Sequence, residues 1–485
     1  MLKSAFAIAI LTFMTFVMWG SCNADDWPRF RGLQGAGISP DSPALPSRWS
    51  PTENLAWKTC LPGPGASSPI VVGGKVFVTC YSGYGVTKEK ESNLEDLVRH
   101  LICIDLATGA ILWQNNIGAS LPEDSYYKSG VSSHGYASHT PVSDGTNVYA
   151  FFGKGGVFAF DLDGNEVWRA GAGKESDPPK WGSSSSPIVH QDTLIVTAAA
   201  ESQSIIGLDT QTGQEKWRQF ATGLNGMWGT PTLVAVNDTR TDLVMLVPGE
   251  IWGLDPTTGK LRWHAKATES QHAYTSVVAD GKRAYAFSGQ GGGSIAIDAG
   301  GTGEVSDQAV WRGSVNAIYG SPVRYQADLF VIARGILSTV DTETGKRSFQ
   351  MRLKGERKTG NARFGSLDYA SPVIVGDRLF YLNASGQVYV FQLGEKIKQL
   401  AINEVASEKE VFWGSPAVSD GRLLLRSSKH LYCITKREPT NSPTPVVPKI
   451  RTISSPKGID SSLATSKLPT PAERPQRPEP VEDND

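Results

Sequence analysis

A chain of 485 residues with 51 glycines and 29 prolines carries too many turn formers for long helices, and 40% hydrophobic content is enough to bury a large core. Lysine plus arginine (47) nearly balances aspartate plus glutamate (48), which excludes a global field favouring nucleic acid or an anionic membrane surface. Length alone leaves the domain count open, because a repeat fold spreads one domain over such a span.

The first 24 residues read as a secretory signal peptide. Met-Leu-Lys is followed by an apolar run over residues 5–19 and by small and polar residues up to Ala24, the expected cleavage point. Lipidation at Cys22 is the alternative, with Trp19 standing where a lipobox normally holds Leu. The run is shorter than the roughly 20 residues a membrane span needs, and no span is expected elsewhere. Export to the periplasm or cell envelope follows, where disulfides persist. Cys60, Cys80, Cys103 and Cys433 remain, and the sequence does not choose between one bridge and buried thiols. No zinc-type spacing occurs, and no metal site is expected.

Residues 25–52 form a lead-in that opens on Trp27-Pro-Arg-Phe-Arg-Gly32. From 53 to 436 one unit recurs. It opens on Ser or Thr before Pro, at Ser68, Thr140, Ser186, Thr230, Ser321, Ser371 and Ser415, with a degenerate copy at Tyr274-Thr275-Ser276. It closes on Asp, a Thr-Gly turn and a Trp strand, as in Asp105-Leu-Ala-Thr-Gly109 with Trp113 and Asp209-Thr-Gln-Thr-Gly213 with Trp217. Asp and Thr can satisfy the turn backbone, Gly can take a positive φ, and the aromatic buries a large area between neighbours. Trp57, Trp113, Trp168, Trp217, Trp263, Trp311 and Phe349 are therefore assigned to structural docking between blades. Four strands per unit and eight units predict an all-β, eight-bladed β-propeller of four-stranded antiparallel blades. The last unit lacks its Trp strand, and the segment around Trp57 has no strands before it. An N-terminal strand is thus expected to close the last blade, leaving no open radial edge.

The Asp-x-x-Thr-Gly-x-x-x-Trp spacing resembles the tryptophan-docking motif of pyrroloquinoline-quinone (PQQ)-like propellers, which include quinoprotein alcohol dehydrogenases and the BamB-type outer-membrane assembly factor. The resemblance spans roughly Trp27 to Lys436, and the lead-in is similar to that of PQQ-repeat proteins of planctomycete-like bacteria. For a dehydrogenase it implies PQQ at the axis above a Trp, commonly under a vicinal disulfide, with carboxylates and amides on calcium. This sequence has no adjacent cysteines and no matching calcium set. No cofactor is therefore expected, with PQQ and calcium as the alternative.

Residues just before each Ser/Thr-Pro should ring one mouth of the axial channel. That ring would carry Trp228, Tyr319, Tyr369 and Trp413, with Tyr136, His139, Trp181 and Tyr274 near it, and His134, His272 and Arg363 within reach. Such rings suit a flat ligand, a sugar face or a partner peptide. Packing between blades is the competing reading. Insertions at 81–99, with 91–99 as a short charged helix, and at 119–134 decorate the first unit. Residues 437–485, rich in Pro and Ser, are expected to be a disordered tail. The whole reads as a monomeric, non-catalytic envelope scaffold that binds a protein or carbohydrate-like ligand. A quinoprotein dehydrogenase and a BamB-like assembly factor are the alternatives.

Overall fold

The computed structural model describes residues 26–39, 45–86, 93–126, 136–289, 291–355, 368–406, 410–436 and 448–453, and the backbone of 466–467. The signal peptide, Cys22, His134 and Arg363 lie outside the described residues.

Eight antiparallel sheets, each with four core strands, form the blades of a propeller. In blade 1 they are Ile70–Val72, Lys75–Ser82, Val98–Asp105 and Ile111–Gly118, from axis to rim. Blade 8 takes its outer strand, Leu55–Cys60, from the start of the chain and pairs it antiparallel with His430–Ile434, Trp57 facing Cys433. The ring is closed as the missing strand required.

The repeat's residues explain how neighbouring blades hold together. In the turn after the third strand, Asp105 Oδ1 accepts hydrogen bonds from the Thr108 backbone N–H (2.8 Å) and hydroxyl (2.7 Å), and Gly109 takes φ +75°. The Asp209 and Asp341 turns repeat the same bonds. Each turn receives the tryptophan of the preceding blade: the Trp57, Trp113, Trp168 and Trp311 indole N–H groups donate to Leu106, Leu162, Thr210 and Thr342 carbonyls at 2.8–3.1 Å. Trp263 differs, donating to Asp242 of its own blade at 2.8 Å. Opposite the tryptophan on the third strand stands a small residue, Cys103, Ala159, Gly207, Gly253, Ala296 or Cys433, over which the indole lies.

Phe349 corrects the docking assignment. It is 37% exposed on the outer strand of blade 6. Blade 7 has no Asp-x-x-Thr-Gly turn to receive it; Gly394 stands at that place, with open space around it. Residues 93–99 hold another correction. Only Leu94–Asp96 is helical, a single 3-10 turn closed by an Asn93–Asp96 capping box, and Val98 already belongs to the next strand. The four cysteines among the described residues are free thiols, Cys80, Cys103 and Cys433 buried.

The tail departs from the expected disorder where it is described. Lys449–Ile453 adds a parallel strand to Ile111–Gly118 at the rim of blade 1, with Ile453 packed into the apolar cluster around Trp113, and Ser466–Lys467 pairs with Gln219 and Phe220 of blade 3. The outer strand of a blade has one unpaired side, and alternating Lys449-Ile-Arg-Thr-Ile453 supplies a partner for it.

Candidate functional site

Along the axis the chain repeats one device eight times. The Ser or Thr that opens each blade accepts a hydrogen bond on its hydroxyl from the backbone N–H of its counterpart in the preceding blade. Ser68 thus donates to Thr140, Thr140 to Ser186, Ser186 to Thr230, Thr230 to Ser276, Ser276 to Ser321, Ser321 to Ser371, Ser371 to Ser415 and Ser415 to Ser68, at 2.8–3.0 Å. Position 276 shows why the degenerate unit still works: the Ser is kept and only the Pro is lost.

Two positions earlier in each blade lies the wall of a pocket of about 230 Å³, with the eight hydroxyl residues below it. In chain order the wall residues are Ala66, Ser138, Ser184, Trp228, Tyr274, Tyr319, Tyr369 and Trp413. Three consecutive blades contribute small residues and five contribute aromatics, so the pocket is lopsided. Trp228 stacks on Tyr274 (5.1 Å between ring centroids), Tyr274 meets Tyr319 edge-on (5.2 Å), and Tyr319 leans on Tyr369 (4.8 Å). Trp181, from the lead-in to blade 3, extends the arc against Trp228 at 5.6 Å. A space this size holds several waters, so these rings line an opening as well as packing on each other.

The polar groups behind the wall hold the arc in place. Asp177 accepts the backbone N–H groups of Trp181 (3.0 Å) and Gly182 (2.8 Å), and the Trp228 indole N–H donates to the Gly182 carbonyl at 2.8 Å. Ser183, also in the wall, donates to buried Glu201 at 2.6 Å and meets His139 Nε2 at 3.1 Å. Burial pushes the Glu201 carboxyl up to about 7, against the opposing effect of the Ser183 bond. Burial likewise raises Tyr274 to about 12 and lowers His272 below its usual range, so both rings are neutral at pH 7.

Of the residues singled out in the sequence, Trp181, Trp228, Tyr274, Tyr319, Tyr369 and Trp413 converge on the pocket. His272 stands behind them, against Trp181, Trp228 and Tyr274. His139 is buried on Phe151 and touches the wall through Ser183. Tyr136 is not at the mouth: it is buried with Tyr81 and Leu97, its hydroxyl donating to the Asp124 carbonyl at 2.6 Å, because the residues around 119–126 fold over it. Among the described residues no three of His, Cys, Asp and Glu are placed to hold a metal ion.

The floor went unnoticed in the sequence. Trp27 bridges to Val71 of blade 1, Pro28 accepts the Ser143 N–H of blade 2, and Ile38–Ser39 pairs in parallel with the inner strand of blade 7. Between these anchors the lead-in crosses beneath the pocket. Phe30 lines the floor, Arg29 donates to the Pro231 carbonyl of blade 4 at 3.2 Å, and Arg31 donates to the Pro322 carbonyl of blade 6. The Trp27-Pro-Arg-Phe-Arg-Gly32 signature is therefore an axial plug. Gly32 is required there: at φ +69° a Cβ would sit 2.6 Å from the Trp27 ring.

Eight blades, six of them carrying a docking tryptophan, closed by an N-terminal strand and with a pocket on the axis, define a PQQ-type β-propeller. The chain belongs to the family whose model is described as outer membrane protein assembly factor BamB, which matches residues 98–351, more than half of its length. Among solved structures it is similar to BamB from Moraxella catarrhalis, at 14% identity and TM-score 0.54, over 80% of this chain and 99% of that one. It is also similar to quinohemoprotein alcohol dehydrogenase from Comamonas testosteroni, at 13% identity and TM-score 0.55, over 87% and 82%. A third similar structure is quinohemoprotein alcohol dehydrogenase ADHIIG from Pseudomonas putida HK5, at 12% identity and TM-score 0.54, over 94% and 83%. At these identities the likeness concerns the fold. No curated protein matches the chain in sequence.

Proposed function

We propose that this protein is a non-catalytic propeller of the cell envelope that binds a carbohydrate-like ligand in its axial pocket. The observation that carries the reading is the aromatic arc of five consecutive blades standing over a ring of hydroxyls. Aromatic faces stack on the C–H faces of a sugar, while hydroxyls below meet its polar edge, which is the mixture small-molecule pockets use. Nothing in this reading requires bonds to be made or broken. The rigid ring holds both surfaces in place before the ligand arrives, which lowers the ordering cost of binding.

The test is tryptophan fluorescence of the purified mature protein titrated with defined oligosaccharides. Saturable change in wild type, weakened in W228A and Y319A at unchanged melting temperature, supports the pocket; unaltered binding in both variants removes it.

A second reading, recognition of a partner's extended strand at a blade rim, is favoured by Lys449–Ile453 lying on Ile111–Gly118. Strand addition of that kind is a general mode of peptide recognition. A peptide of sequence 445–456 that competes with the tail, seen by protection of the rim amides, would support it.

A further inference from the structure

We propose that the ligand of the axial pocket carries a carboxylate, as in a uronic-acid oligosaccharide, with the charged group seated on the eight-hydroxyl ring above Arg29 and Arg31. The inference rests on the pocket reading above and names its ligand class.

Three observations support it. First, the two guanidiniums are buried, and among the described residues neither has a carboxylate partner. Their bonded acceptors are carbonyls, those of Pro231, Pro322 and Ala36. Pro231 and Pro322 directly follow Thr230 and Ser321 in the chain, so the charges lie one peptide below the hydroxyl ring. The Nε atoms of both and Arg31 Nη1 are buried without a hydrogen-bond partner. Burial lowers Arg29 to about 10 and, with help from the Arg29 charge, Arg31 to about 9, which leaves both protonated at neutral pH.

Second, the pocket lining contains only serine, threonine, aromatic, alanine and glycine residues. No acidic side chain in that wall offsets the two positive charges beneath. A low-dielectric cavity over unneutralised cations attracts anions and repels cations. Third, each ring hydroxyl is occupied as an acceptor, and among the described residues none is engaged as a donor. Eight O–H groups with free protons suit an acceptor-only group such as a carboxylate better than a neutral hydroxyl.

The experiment compares cellotriose with its C6-oxidised, tri-carboxylate counterpart by tryptophan fluorescence on the full mature chain. Quenching by iodide and by caesium ions at low salt is measured alongside. At least tenfold tighter binding of the oxidised trimer is expected, together with iodide quenching several-fold above caesium. R31M should abolish both preferences and R31K keep them. If R31M does not fold, the wild-type iodide and caesium comparison decides alone. Equal binding of the two trimers with equal quenching overturns the carboxylate while leaving the aromatic pocket intact. Binding of neither trimer overturns both.

Discussion

The backbone N–H of Ser415 donates to the hydroxyl of Ser68 at 2.9 Å across 347 positions of sequence, and this bond closes the axial ring. Both residues are buried, at 3% and 1% exposure. Ser68→Ala should therefore destabilise the protein by about 1–3 kcal/mol, the cost of an unsatisfied buried donor, while Ser68→Thr should change little. Denaturant midpoints of the two variants check this.

Docking tryptophans set a second expectation. A Cβ at Gly253 would lie 2.0 Å from the Trp263 ring, whereas one at Gly118 meets nothing within 4 Å. Gly253→Ala should cost about 1–3 kcal/mol by overpacking, and Gly118→Ala should be near neutral. By the same logic Trp311→Ala should cost about 3–5 kcal/mol and exposed Phe349→Ala less than about 1. Thermal unfolding of the four variants ranks them.

The eight blades, the borrowed strand around Trp57 and the pocket aromatics were legible because each sits at a fixed offset inside a repeat. Trp228, Tyr319, Tyr369 and Trp413 all stand two positions before a Ser or Thr, and the strand direction carries that offset to the same height on the axis. What breaks the repeat was not legible. Arg29 and Arg31 carry no periodic signal, since their partners at Pro231 and Pro322 are hundreds of residues away. Tyr136 precedes an opening as the others do but is captured by its own loop near Asp124. The added strand at Lys449–Ile453 lies in a segment whose proline-rich flanks hide a short β pattern, and its pairing depends on an edge that only the folded blade presents.

Glu201 makes stability depend on pH. Its carboxyl is raised to about 7 by burial, beside Ser183, Asp177 and Lys154, from about 4.5 when exposed. Between those values the folded state binds more protons than the unfolded state, so stability is fully present below about 4.5 and falls as pH rises through about 7. The contribution is on the order of 3 kcal/mol. Glu201→Gln should flatten this part of the profile and be more stable than wild type at pH 8, as measured by denaturant melts from pH 5 to 8.

Removal of residues 437–485 should expose the rim of blade 1. The five-residue parallel pairing of Lys449–Ile453 and the contact of Arg451 with Asn165 at 3.1 Å disappear with it. Amide exchange within Ile111–Gly118 should accelerate in the truncated protein while the inner strands of the blade stay protected. Unchanged exchange there would mean that the tail is not held on the rim in solution.

The most direct test of the axial site is a crystal structure of the protein soaked with the tightest-binding oligosaccharide. The expected result is a sugar ring against Trp228 and Tyr274 with its acidic group over the Ser and Thr ring. A ligand seated on an outer face of the blades, with the axial pocket holding only water, would contradict it.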